Sequence, residues 1–171
     1  MLIMLGIPYD SEQGVGLAGE IMKFIETEAR QTSAELAAER GPFPNFEGSI
    51  YDVPDGIKMR NATVTTIAPT GTLSIIAGCS SGIEPLFAVC YVRNVLDGTE
   101  LVEVNPLFEK IARERGFYSD ELMREIARRG TVKDLDAVPT DVQRVFVTAH
   151  DIAPMWHVRM QAAFQKYVDN A

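Results

Sequence analysis

Hydrophobic positions recur at helical spacing through the first third of the chain. Leu17, Ile21, Phe24, Ile25 and Leu36 follow this repeat, and it predicts a helix over 12–40. Asp10 or Ser11 supplies a capping side chain at its start. Gly41-Pro42 ends it, because glycine suits a left-handed cap and proline cannot continue the ladder. Phe43 and Phe46 then sit in an irregular stretch that they are expected to pin onto the body. The middle third changes to an extended pattern. The β-branched run Thr63 to Ile67 predicts one strand and Ala88 to Val95 a second. Asp97-Gly98 is a hairpin-turn signal, with Leu101 to Val104 as the returning strand.

Helical spacing returns in the last third. Asn105 caps a helix with Pro106 in its first position and Gly116 past its end. Ser119 caps the next, with Asp120 and Glu121 in the first turn and Gly130 after it. Thr140 is expected to cap a short helix through Val145. Asp151 or Ala153 is expected to open a last one, through Met155, Val158, Ala162 and Tyr167, still unfinished at Ala171. No internal repeat or low-complexity segment interrupts this order. The chain starts inside an apolar run and stops within a helical pattern, so it reads as a piece of something longer.

Composition narrows the class. The chain has 171 residues, 46% hydrophobic and 23% charged, which is that of a globular domain. No apolar run approaches a membrane span. Met1 to Pro8 is too short and lacks the basic flank and cleavage site of a signal peptide. A cytoplasmic protein with no membrane association is the expectation. The net charge of −8 argues against nucleic acid as a partner. The one basic cluster, Arg124 to Arg129, falls at a helix C-terminus, where it complements the dipole. Cys79 and Cys90 are too few for a disulfide framework and are expected to be free, buried thiols.

One stretch carries residue types suited to a ligand. After Thr63–Ile67 comes Pro69-Thr70-Gly71-Thr72, then Leu73 and an apolar segment that reads as a helix start. Such a junction offers bare backbone N–H groups and hydroxyls to an anion. Gly14-Val15-Gly16-Leu17-Ala18-Gly19 matches a dinucleotide fingerprint, but no strand precedes it and none follows its helix, so it reads as the first turns of that helix. His150 and His157 have no metal-ligand spacing, and no metal site is expected. Ser80-Ser81-Gly82 lacks the context of a nucleophile elbow. Glu84 follows on a turning loop, where a structural role accepting bonds from that loop is expected.

Residues 68–85, Ala-Pro-Thr-Gly-Thr-Leu-Ser-Ile-Ile-Ala-Gly-Cys-Ser-Ser-Gly-Ile-Glu-Pro, resemble the substrate-phosphate loop of the catalytic chain of ribonucleotide reductases, in its adenosylcobalamin-dependent (class II) form. Met4 to Ser11 and Leu36 to Phe43 resemble the stretch ahead of that loop. Thr148 to Ile152 and His157 to Gln165 resemble the stretch behind it. The resemblance implies an α/β fold: a partial ten-stranded α/β barrel, helix-rich with a few strands, incomplete at both ends across residues 1–171. It implies conversion of ribonucleotides to deoxyribonucleotides by thiyl-radical chemistry, with Pro69, Thr70, Gly71, Thr72 and Leu73 holding the substrate phosphates. Adenosylcobalamin is the implied cofactor. The implied partners are the ribonucleotide, the remainder of the reductase chain and a second copy in a homodimer. The family's Asn-x-Cys-x-Glu radical motif and its C-terminal thiol pair do not occur here, so no catalytic residue is expected in this piece, which alone should not turn over. The alternative is a standalone nucleotide- or phosphate-binding module without catalysis.

Overall fold

The computed structural model describes residues 1–94 and 100–171. Asp97-Gly98 lies outside the described residues. The elements are α1 (Glu12–Arg40), α2 (Gly71–Ala77), β1 (Cys90–Asn94), β2 (Glu100–Val104), α3 (Pro106–Glu114), α4 (Asp120–Arg129), α5 (Thr140–Val145) and α6 (Pro154–Gln165). The chain divides into two compact units. The first comprises Met1–Val15 and Thr70–Arg159, the second Gly16–Pro69 and Met160–Ala171.

In the first unit β1 and β2 pair antiparallel, with Val92 opposite Val102. Helix α4 packs on this ribbon, and the buried Cys90 thiol meets Met123 Sδ at 3.9 Å. Burial first, and then the Glu109 charge, pushes that thiol up to about 12. Phe108, Ile126, Val132, Val138 and Phe146 complete the core. The Phe108 and Phe146 rings meet edge to face at 5.1 Å, a favoured aromatic geometry. The caps follow the residues: Asn105 Oδ1 accepts from the Leu107 and Phe108 N–H groups, and Ser119 Oγ from Leu122 N–H. Gly130 takes a left-handed φ of 74° past the end of α4. Thr140 is the first residue of α5 rather than its cap; Pro139 precedes it and no side chain caps that end.

The second unit is organised around α1. Its buried positions are Ala18, Met22, Ser33 and Ala37, whereas Phe24 and Ile25 are exposed. Leu17, Ile21 and Leu36 of the expected face are half-buried, so that face packs in part and Phe24 and Ile25 depart from it. The small residues Ala18, Ser33 and Ala37 let other backbone come close. Ser33 Oγ shows this: it accepts from Asn61 N–H at 3.0 Å, while the Ser33 carbonyl accepts from Arg60 N–H at 2.9 Å. Phe46 is buried against Phe43, as its pinning role requires.

Two expectations fail here. Thr63–Ile67 does not form a ladder; Thr66 makes a single parallel bridge to Asn170. A strand needs a partner of comparable length, and the chain beyond α6 supplies one bridging residue. Helix α6 ends at Gln165 instead of running on to Ala171, and the chain after it turns to meet this segment. Asp169 makes the junction. Its carboxylate accepts from the N–H groups of Val64 at 2.7 Å and Thr65 at 3.1 Å, and pairs with Arg30 at 2.5 Å. A ten-stranded barrel is not formed by the described residues, whose only ladder is the two-stranded ribbon.

Candidate functional site

The Pro69–Leu73 bend lies where the extended segment meets α2. Thr70 adopts φ 45°, ψ 29°, a left-handed conformation that a β-branched residue takes only under constraint. Helix α2 begins at Gly71, earlier than the expected start after Thr72, so Gly71, Thr72 and Leu73 form its first turn. The first intrahelical-type bond runs from Ser74 N–H to the Thr70 carbonyl at 2.9 Å. Among the described residues, the N–H groups of Gly71, Thr72 and Leu73 donate to no protein acceptor. The Thr70 side chain makes no capping bond either. All three first-turn residues are exposed. A Cβ built on Gly71 meets nothing within 4 Å, so the space before these donors is open. Three parallel orphan donors at the positive end of a helix can accept an anion.

A cleft of about 520 Å³ adjoins the other end of α2. Ser74, Gly78, Ser81 and Glu84 line one side, and Tyr91, Arg93 and Glu103 of the ribbon line another. Ser74 Oγ donates to the Gly71 carbonyl at 2.6 Å and accepts from Ser81 Oγ at 3.0 Å, which joins the bend to the cleft wall. Glu103 accepts from Tyr91 Oη at 2.7 Å and pairs with Arg93 at 2.9 Å. Cys79 is exposed and lines this cleft, contrary to the expectation of a buried thiol. The Glu84 carboxylate accepts no hydrogen bond among the described residues; only its backbone N–H is engaged, with the Ser81 carbonyl. The expected role for it as an acceptor within the loop is therefore not what the geometry has.

The other sequence candidates sit elsewhere. Gly14–Gly19 is helical, and a Cβ on Gly14 would lie 2.7 Å from the Pro8 carbonyl oxygen, so this glycine serves close backbone approach. Asp151 does not cap α6. It accepts from Thr148 N–H at 2.9 Å, Thr148 Oγ at 2.8 Å and Thr131 Oγ at 2.8 Å. Burial alone would raise its pKa, but these donors together hold the carboxyl below its usual range. His157 Nε2 lies 3.3 Å from the Ala149 carbonyl oxygen, and His150 stands edge to face with Phe87. Sequence reasoning missed Tyr9, whose hydroxyl donates to the Ile83 carbonyl at 3.0 Å from 74 residues away. No local pattern signals a contact of that range.

The family described as ribonucleotide reductase, barrel domain, matches residues 1–171. The vitamin B12-dependent ribonucleoside-diphosphate reductase of Thermoplasma acidophilum is 55% identical over 170 residues, covering 99% of this chain and 22% of that protein. The protein of the same name from Mycobacterium tuberculosis is 51% identical over 171 residues, covering 100% of this chain and 24% of the relative. Among solved structures, the class Id ribonucleotide reductase alpha subunit of Actinobacillus ureae superposes with a TM-score of 0.79 at 27% identity, over 98% of this chain and 29% of that one. The chain thus spans under a quarter of the length of these two curated relatives. With the match running from its first residue to its last, this chain belongs to the ribonucleotide reductase barrel-domain family.

Proposed function

We propose that these residues are the substrate-phosphate part of a vitamin B12-dependent reductase that converts ribonucleoside diphosphates to deoxyribonucleotides by thiyl-radical chemistry. The observation that carries this reading is the exposed first turn of α2, with three N–H groups lacking protein acceptors, in a chain that matches the family throughout. Pro69 and the left-handed Thr70 aim the turn, and Gly71 leaves room for oxyanions. The hydroxyls of Thr70 and Thr72 add donors. Holding the phosphates here fixes the ribose in register with the reacting groups, a contribution of positioning rather than of bond chemistry.

The radical thiol belongs to another part of the complete protein. Cys90 is buried with its thiol pushed up to about 12, which suits packing rather than redox work. Adenosylcobalamin is the cofactor we assign to the complete protein, where it supplies radical initiation. This chain's described residues do not themselves form a seat for a corrin. The cleft beside α2 is of nucleoside size, and the two imidazoles already face the Ala149 carbonyl and the Phe87 ring. We assign the remainder of the reductase chain and a second copy as partners, and the cytoplasm as the compartment; no helix among the described residues is long and apolar enough to cross a membrane.

The test is reduction of a ribonucleoside diphosphate by the complete protein, read as deoxynucleotide formed. Product is expected only when adenosylcobalamin and a thiol reductant are both supplied. Nucleotide binding without reduction under those conditions would put the standalone binding module in its place.

A further inference from the structure

The wall of the cleft is a loop held from two directions. At its start, Ser81 Oγ bonds back to Ser74 Oγ on α2. Near its end, the Tyr9 hydroxyl holds the Ile83 carbonyl at 3.0 Å. Gly82, between these two anchor points, takes a left-handed φ of 47°, and Gly78, ahead of them at the end of α2, one of 63°, so the backbone turns sharply along this wall. Tyr9 is itself a fixed post. Ser11 Oγ donates to the Pro8 carbonyl at 2.6 Å on one side of it, and Arg144 bonds both the carboxylate and the carbonyl of Asp10 on the other. Burial, and then the nearby Glu84 charge, pushes the phenol up to about 12, so it remains a neutral donor at physiological pH.

Glu84 directly follows the anchored Ile83. Its carboxylate is exposed, lines the cleft and has no hydrogen-bond partner among the described residues. A carboxylate repels phosphate, so it suits the other end of a nucleotide, where hydroxyl or amino groups donate. Ser74, the residue after the orphan donors, bonds Ser81 of this wall, so the wall continues the site away from its phosphate end. We propose that Tyr9 is a positioning residue: through the Ile83 carbonyl it sets the cleft wall so that Glu84 accepts a hydrogen bond from the nucleoside part of the substrate. This rests on the reading of Gly71–Leu73 as the phosphate site.

The test uses the complete protein and two ligands, a ribonucleoside diphosphate and pyrophosphate. Tyr9→Phe keeps the ring and removes one donor, and Glu84→Ala removes the acceptor at an exposed position. Each is expected to weaken nucleotide binding by about 3- to 10-fold, the range for one hydrogen bond, with pyrophosphate binding retained. The double variant is expected to lose little more than either alone, because both act through one contact. An exocyclic amino donor predicts a larger loss with cytidine than with uridine diphosphate after Glu84→Ala; a ribose hydroxyl predicts equal losses. Unchanged nucleotide affinity in Glu84→Ala, or an equal loss of pyrophosphate binding in Tyr9→Phe, overturns the proposal. The phosphate reading fails separately, if Gly71→Val leaves pyrophosphate binding intact.

Discussion

Gly71→Val separates a bend that grips a ligand from one that merely connects two elements. The position has no left-handed φ, and its built Cβ meets no atom within 4 Å, so valine has room in the folded chain. Valine also has a better helix propensity than glycine. The stability change is therefore expected within about 0.5 kcal/mol of zero, as for surface substitutions that break nothing. A ligand meets the opposite situation. The new γ-methyl groups would occupy the space ahead of the Gly71, Thr72 and Leu73 N–H groups, which is where a phosphate oxygen must come. A charge-assisted hydrogen bond contributes about 1.5–3 kcal/mol, so losing one corresponds to a roughly 10- to 150-fold weaker complex. The assay is equilibrium binding of a ribonucleoside diphosphate to the complete protein, with thermal melting alongside. Gly71→Ala should give a smaller loss in the same direction. Unchanged affinity in Gly71→Val would refute the reasoning, as would a drop in melting temperature large enough to account for the weaker binding.

Three further outcomes follow from the packing. Gly14→Ala, ordinarily stabilising within a helix by up to about 1 kcal/mol, should instead destabilise by about 1–3 kcal/mol, because the Cβ would lie 2.7 Å from the Pro8 carbonyl oxygen; denaturant unfolding measures it. Asp169→Ala should cost about 3 kcal/mol in the same assay, since it leaves the Val64 and Thr65 N–H groups and Arg30 without their shared acceptor. Burial raises the Asp169 pKa, but those donors and Arg30 outweigh it and hold the carboxyl below its ordinary value. Its stabilisation is therefore complete above about pH 4–5 and lost as pH falls through the depressed folded value, so wild type and Asp169→Ala should converge in stability under acid. Finally, of the two cysteines in this chain, Cys79 should react fast in the native state, with Cys90 modified only after unfolding; equal rates for both would contradict the packing of β1 against α4.

Local features of the sequence reached the structure almost unchanged. Helix α1 runs Glu12–Arg40 from the Ser11 cap to a left-handed Gly41, and α3 and α4 carry the expected Asn105 and Ser119 caps. These depend on backbone groups within one turn, so neighbouring residues determine them. What failed depends on distant partners. Thr63–Ile67 has strand residues, yet whether it forms a ladder is decided by what lies beside it, and here that is one bridge to Asn170. The buried stripe of α1 includes Ala18, Ser33 and Ala37 beside Met22, small residues that a hydrophobic pattern underweights. Asp151 looked like a cap because it precedes Pro154, but Thr131 and Thr148 claim its carboxylate. At the candidate site, the Pro69–Leu73 bend was visible from its glycine and hydroxyls. The cleft and the Tyr9 tether were not, since they join residues far apart in the chain.

Amide hydrogen exchange across residues 69–77 of the complete protein, with and without a ribonucleoside diphosphate, tests the central claim most directly. The first turn of α2, with its exposed N–H groups, should exchange fast when free and slow markedly once nucleotide is added. Protection appearing only elsewhere, with this turn exchanging as fast as before at saturating nucleotide, would contradict it.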